Sequence, residues 1–121
     1  MSGTVLVVDN EAFNVDLVKT ILTRAGFKVI SANSGKKAIS MVKKRNPDLV
    51  LMDVQLPEMD GLETTRRLMG DPATRAVKVL AFSALAMPSD IDKALEAGCV
   101  GYITKPVGAR ELIEKVKEHI G

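Results

Sequence analysis

Little in this 121-residue chain could clip it together covalently or hold a soft metal, for it has one cysteine, Cys99, and one histidine, His119. A lone cysteine forms no internal disulfide, which fits a reducing compartment, and Cys99 reads as a small buried hydrophobe. Tryptophan is absent, and there are only one tyrosine and three phenylalanines, so the core has to be built from Val, Leu, Ile, Ala and Met. No window approaches ~18 uncharged apolar residues, and no basic N-terminal region leads into a long apolar stretch. Membrane insertion and secretion are therefore not expected, and a cytoplasmic location is. Neither sign of charge dominates: 17 basic and 15 acidic residues leave +2, too balanced for a nucleic-acid footprint. The clusters Lys36-Lys37, Lys43-Lys44-Arg45 and Arg66-Arg67 read as solvated helix faces. The methionines are scattered through different elements and read as core filling.

What is present is a regular alternation that fills one domain, residues 1–121, without repeat, linker or low-complexity segment. Thr4 to Val8 is a β-branched apolar run. Phe13, Leu17, Val18, Ile21 and Ala25 then recur at helical spacing until Gly26 stops the helix. Lys28 to Ala32 reads as a second strand, and Ala38, Ile39 and Val42 mark a second helix, which Asn46-Pro47 closes because the residue before proline avoids helical dihedrals. Leu49 to Asp53 is a third strand, apolar up to its last residue. Asp60-Gly61 opens a third helix, Val77 to Phe82 is the fourth strand, and Pro88-Ser89-Asp90 starts a helix with Ile91, Ala94 and Leu95 inward. Val100 to Ile103 and a final helix through Leu112, Ile113, Val116 and Ile120 complete the pattern. Strands alternating with helices predict an α/β fold with a doubly wound parallel sheet of five strands, right-handed crossovers and helices on both faces.

In such sheets ligands bind beyond the carboxyl ends of the strands. The ends here carry Asp9, Asp53, Ser83 and Lys105. Two carboxylates close together raise each other's pKa unless a cation lies between them. With oxygen donors only, that cation would be hard, Mg²⁺ or Mn²⁺. Lys105 offers a compact positive charge and Ser83 a hydroxyl donor for an anionic group on Asp53, and a phosphoryl group carried by the aspartate meets all of these demands.

The same residues carry a family resemblance. Val-Leu-Val-Val-Asp9 with Asn10-Glu11, Leu-Val-Leu-Met-Asp53-Val-Gln-Leu-Pro57 with Met59-Asp60-Gly61, Ala81-Phe82-Ser83-Ala84 and Gly101-Tyr102-Ile103-Thr104-Lys105-Pro106 resemble the receiver domain of bacterial two-component response regulators, of the single-domain chemotaxis kind. The resemblance implies a flavodoxin-like strand order 2-1-3-4-5. It implies that Asp53 takes a phosphoryl group from a sensor histidine kinase or phosphotransfer protein, with Mg²⁺ held by Asp53, the position of Asn10, the backbone carbonyl of Gln55 and, through water, Asp9. Ser83 and Lys105 would hold the phosphoryl oxygens, and Lys105-Pro106 would be a cis peptide. Ser83 would pass the signal to Tyr102, and the face made by the fourth helix, fifth strand and fifth helix would meet a downstream protein. Such a domain is not an enzyme, since it assists only its own phosphorylation and dephosphorylation.

One departure from that pattern matters. The family usually has two adjacent acids after the first strand, and this chain has Asp9-Asn10. A neutral amide in place of a metal-binding carboxylate predicts weaker Mg²⁺ affinity, with Glu11 and Glu58 as candidates to supply the missing charge. It also raises the alternative of a pseudo-receiver that binds partners without phosphorylation. A phosphatase using the acid pair is a third reading, although nothing in the sequence beyond the acid cluster provides a substrate pocket. His119, in the last turn of the final helix, complements the helix dipole and fits no phosphorelay role.

Overall fold

A strand reading Leu-Val-Leu-Met before its aspartate has no polar side to turn to water. In the computed structural model, which describes residues 3–120, that strand is the middle one of five. The strands are β1 Thr4–Val8, β2 Lys28–Ala32, β3 Leu49–Asp53, β4 Lys78–Ser83 and β5 Gly101–Thr104. Between and after them run α1 Ala12–Arg24, α2 Gly35–Arg45, α3 Gly61–Met69, α4 Pro88–Ala97 and α5 Ala109–Ile120. Every pairing is parallel and the order is β2-β1-β3-β4-β5, the flavodoxin-like arrangement.

Side chains of the central strands alternate between two aliphatic cores. Val5, Val7, Leu49, Leu51 and Leu80 meet Val18 and Leu22 of α1 and Leu112 and Val116 of α5. Leu6, Val8, Val50, Met52 and Val79 meet Ala38 and Val42 of α2, Leu68 of α3 and Ala94 of α4. Each fully buried Leu or Val stabilises the fold by about 2 kcal/mol relative to exposure, so the two layers fix the sheet and with it the positions of the strand ends.

Local signals set the helix boundaries. Ser34 caps α2 by accepting from Lys37 N–H (3.2 Å), and Asp60 caps α3 by accepting from Glu63 N–H (2.8 Å). Gly26 and Gly98 follow α1 and α4 with φ of 99° and 112°, a conformation that glycine adopts at little cost.

Asn46-Pro47 closes α2 as expected, with Asn46 in the left-handed region (φ 44°, ψ 59°) rather than the right-handed helical one. Other expectations are corrected. Both β4 and β5 start and end one residue later than expected, which brings Ser83 into β4 and leaves Val100 outside β5 and exposed. Phe13 and Leu17 are 75% and 49% exposed, because α1 lies on the sheet along Val18 and Leu22, more than a quarter-turn away. Leu95 points outward while Ala94 and Ala97 seat α4, and Met87 is exposed rather than core.

Candidate active site

The sheet order places β1, β3, β4 and β5 side by side, so their carboxyl ends form one continuous edge. Asp9 follows β1 and is tied down by its backbone N–H, which donates to Ala32 O (3.1 Å), and by its Oδ1, which accepts from Glu11 N–H (2.9 Å). Asp53 ends β3, with Oδ1 accepting from Gln55 N–H (3.0 Å). Both carboxylates are buried. Lys105 reaches in from the loop after β5, its Nζ 3.1 Å from Asp9 Oδ2 and 3.6 Å from Asp53 Oδ2. The Lys105-Pro106 peptide is cis, and Lys105 N–H donates to Ser83 O (2.8 Å), which fastens that loop to the end of β4.

Burial pushes the Asp53 carboxyl above its ordinary pKa. The Gln55 N–H and the Lys105 ammonium oppose the shift, and the neighbouring Asp9 charge reinforces it. A buried carboxylate held at such a cost gains from any added cation.

Ser83 is fully buried, and its Oγ accepts from Leu85 N–H (3.1 Å). Tyr102, half-buried on β5, donates its hydroxyl to Leu85 O (2.6 Å). A chain of contacts therefore runs from Ser83 through Leu85 to Tyr102. Sequence reasoning found its ends but not Leu85 as their link, because that part is played by backbone atoms and leaves no mark on residue type.

Asn10 is exposed and lines a cleft of about 360 Å³ together with Asp9, Asp16, Asn33 and Lys37. Asp9, Asp53, the Asn10 amide and the Gln55 carbonyl offer oxygen only, a donor set that fits a hard divalent cation. Among the described residues no three His, Cys, Asp or Glu side chains come together as a metal site. Glu11 and Glu58 thus do not complete a third acid. Glu11 contributes its backbone N–H to Asp9, and both side chains face solvent.

A family model described as the response regulator receiver domain matches residues 5–117. The chain belongs to that family. The polar-differentiation response regulator DivK of Brucella ovis is 36% identical over 121 residues, spanning all of this chain and 98% of the relative. A putative response regulator from Chloroflexus aurantiacus has 31% identity and a TM-score of 0.93, covering 99% of this chain and 98% of its own. The receiver domain of a sensor histidine kinase from Pseudomonas aeruginosa, at 28% identity and a TM-score of 0.91, covers all of this chain and 99% of its own, and carries a magnesium ion coordinated in its active-site cleft. Receiver domains of two-component systems are generally phosphorylated by histidine kinases and act on downstream targets. In this receiver domain no helix among the described residues is long and apolar enough to cross a membrane.

Proposed function

We propose that this receiver domain accepts a phosphoryl group on Asp53 from a sensor histidine kinase or phosphotransfer protein in the cytoplasm and relays it as a change of surface. The observation that carries the reading is the single Lys105 ammonium set between the Asp9 and Asp53 carboxylates at the sheet edge. An Asp53 oxygen forms the bond to phosphorus as the bond from phosphorus to the donor imidazole nitrogen breaks, and that nitrogen keeps the electron pair and takes up a proton. Mg²⁺, or Mn²⁺ in its place, held by Asp9, Asn10, Asp53 and the Gln55 carbonyl, supplies neutralisation of the transferring oxygens. Lys105 turns from Asp9 to the new dianion. The domain turns over no separate substrate.

An apolar groove of about 410 Å³ opens beside Lys105, lined by Phe13, Leu17, Ile21, Pro106 and Val107, and gives the phosphodonor a place to dock next to Asp53. On the other side, Leu95 of α4 and Val100 just before β5 are exposed on the face of α4, β5 and α5, where a downstream protein binds. The two faces are joined by the Ser83 hydroxyl. As its O–H donates to a phosphoryl oxygen, Ser83 Oγ shifts and draws the Leu85 N–H bonded to it, and the Leu85 carbonyl then releases Tyr102. Tyr102 is the only tyrosine and there is no tryptophan, so the intrinsic emission reports this residue alone. Acetyl phosphate with Mg²⁺ is expected to change that emission in the wild type and leave it flat in Asp53→Asn. An unchanged wild-type signal despite stoichiometric phosphorylation removes Tyr102 from the relay.

Asn10 favours a second reading, a pseudo-receiver that binds partners constitutively. The two readings separate on metal affinity. Restoring a carboxylate with Asn10→Asp should tighten Mg²⁺ binding about tenfold, since affinity at such sites follows ligand charge, with part of the Coulombic gain lost to desolvation. Calorimetric titration of the two proteins measures it. Equal affinities contradict the assigned role of position 10, and no detectable wild-type binding at millimolar Mg²⁺ favours the pseudo-receiver.

A further inference from the structure

Lys105 starts beyond the end of β5, yet its ammonium hydrogen-bonds to Asp9 at the end of β1. Strands β4 and β3 lie between, so the side chain has to cross the sheet edge. The same Nζ lies over the ring of Phe82 on β4, 4.9 Å from its centroid. Phe82 stands in register with Asp53 on one side and Ile103 on the other, and partners in a parallel ladder share a face. The ring is therefore the surface between the lysine's point of origin and the two carboxylates it serves.

An aliphatic residue would fill the core at this point equally well. An aromatic one adds a π-face, which attracts a cation more strongly as water is excluded, and here Phe82 is only 6% exposed while the Lys105 side chain is 20% exposed. A lysine has four side-chain torsions to fix, and the two carboxylates, 3.1 and 3.6 Å from Nζ, are its only charged contacts among the described residues. The ring supplies a third contact from below.

We propose that Phe82 is a positioning residue whose ring holds the Lys105 ammonium between Asp9 and Asp53, ready for the charge that a phosphoryl group brings. The inference rests on the phosphoryl-acceptor reading for its purpose, and on geometry alone for the contact.

A double-mutant cycle in folding tests the contact without any phosphorylation. Phe82→Met fills the space without a ring, and Lys105→Met removes the cation. The unfolding equilibrium constant should respond to Phe82→Met about threefold to thirtyfold more strongly with Lys105 present than in the Lys105→Met background. Additive effects would show that Phe82 is core filling alone and overturn the proposal. The purpose is tested by the initial rate of Asp53 modification by acetyl phosphate with Mg²⁺. Phe82→Met should slow it by about threefold to thirtyfold, whereas Phe82→Tyr, which keeps the ring, should stay within about twofold of wild type. Equal loss in both variants overturns it. A wild type that takes no phosphoryl group, with the folding cycle still coupled, discards the acceptor reading and leaves the lysine contact standing.

Discussion

Lys105→Met is expected to slow phosphoryl incorporation at Asp53 by at least about a hundredfold and to destabilise the fold by about 2 kcal/mol. The first effect follows from charge. A new phosphoryl dianion on Asp53 would have one nearby cation among the described residues, the Lys105 ammonium, already within 3.6 Å of the Asp53 carboxylate. The second follows from what is left behind. Asp9 and Asp53 are both buried, both within reach of the same ammonium, and neither has another cationic partner among the described residues. The 2 kcal/mol figure lies below that of a fully enclosed pair because Lys105 keeps some contact with water.

The pH dependence carries a definite sign. Asp53 has a raised pKa in the folded chain, so its contribution to stability is full below the unfolded value of 3.8 and is lost as pH rises through the folded value. Removing Lys105 removes one of the influences that hold that pKa down, and the loss should then extend to higher pH. Asp53→Asn added to Lys105→Met should recover most of the lost stability at neutral pH. Chemical denaturation of wild type and the two variants at pH 5 and pH 7.5 checks this, and a double variant no more stable than Lys105→Met contradicts the electrostatic account.

Gly61→Ala should be as damaging, for a steric reason. A methyl group built on Gly61 would lie 2.1 Å from the Asp53 backbone oxygen, 2.9 Å from its carbonyl carbon and 3.0 Å from Met52 Cγ. Two of those atoms are backbone of β3 and cannot swing aside. The start of α3 has to back away from the strand, breaking the hydrogen bond from Gly61 N–H to Val54 O (3.0 Å), and Asp53 moves with the strand end. About 3 kcal/mol of destabilisation is expected, together with about a hundredfold loss in phosphorylation rate from a displacement on the order of 1 Å. Thermal unfolding and rate measurements on the purified variant decide it. Wild-type values in both would mean that the loop between β3 and α3 gives way freely, and the tight placement of Asp53 would not stand.

The strand ends were readable because a fully buried strand has no polar face, so its first charged residue marks where it emerges. That logic finds Asp9 and Asp53 directly, and Ser83 and Lys105 once the alternation of strands and helices is counted. Strand register is not written in the residues. Phe82 could not be placed beneath Lys105 until its pairing with Asp53 was known, and β4 and β5 were each one residue out. Helical spacing likewise found α1 while overestimating its buried arc, since periodicity groups Phe13 and Leu17 with Val18, and only the docking angle of the helix separates them. Their exposure is informative in turn, because it leaves an apolar groove open next to Lys105.

Intact mass after incubation with acetyl phosphate and Mg²⁺ tests the central claim most directly, using wild type and Asp53→Asn side by side. The account predicts a gain of one phosphoryl group on the wild type, lost on mild alkaline treatment as an acyl phosphate is, and no gain on Asp53→Asn. A wild type that stays unmodified at every metal concentration, or a variant that gains the same mass, would contradict it.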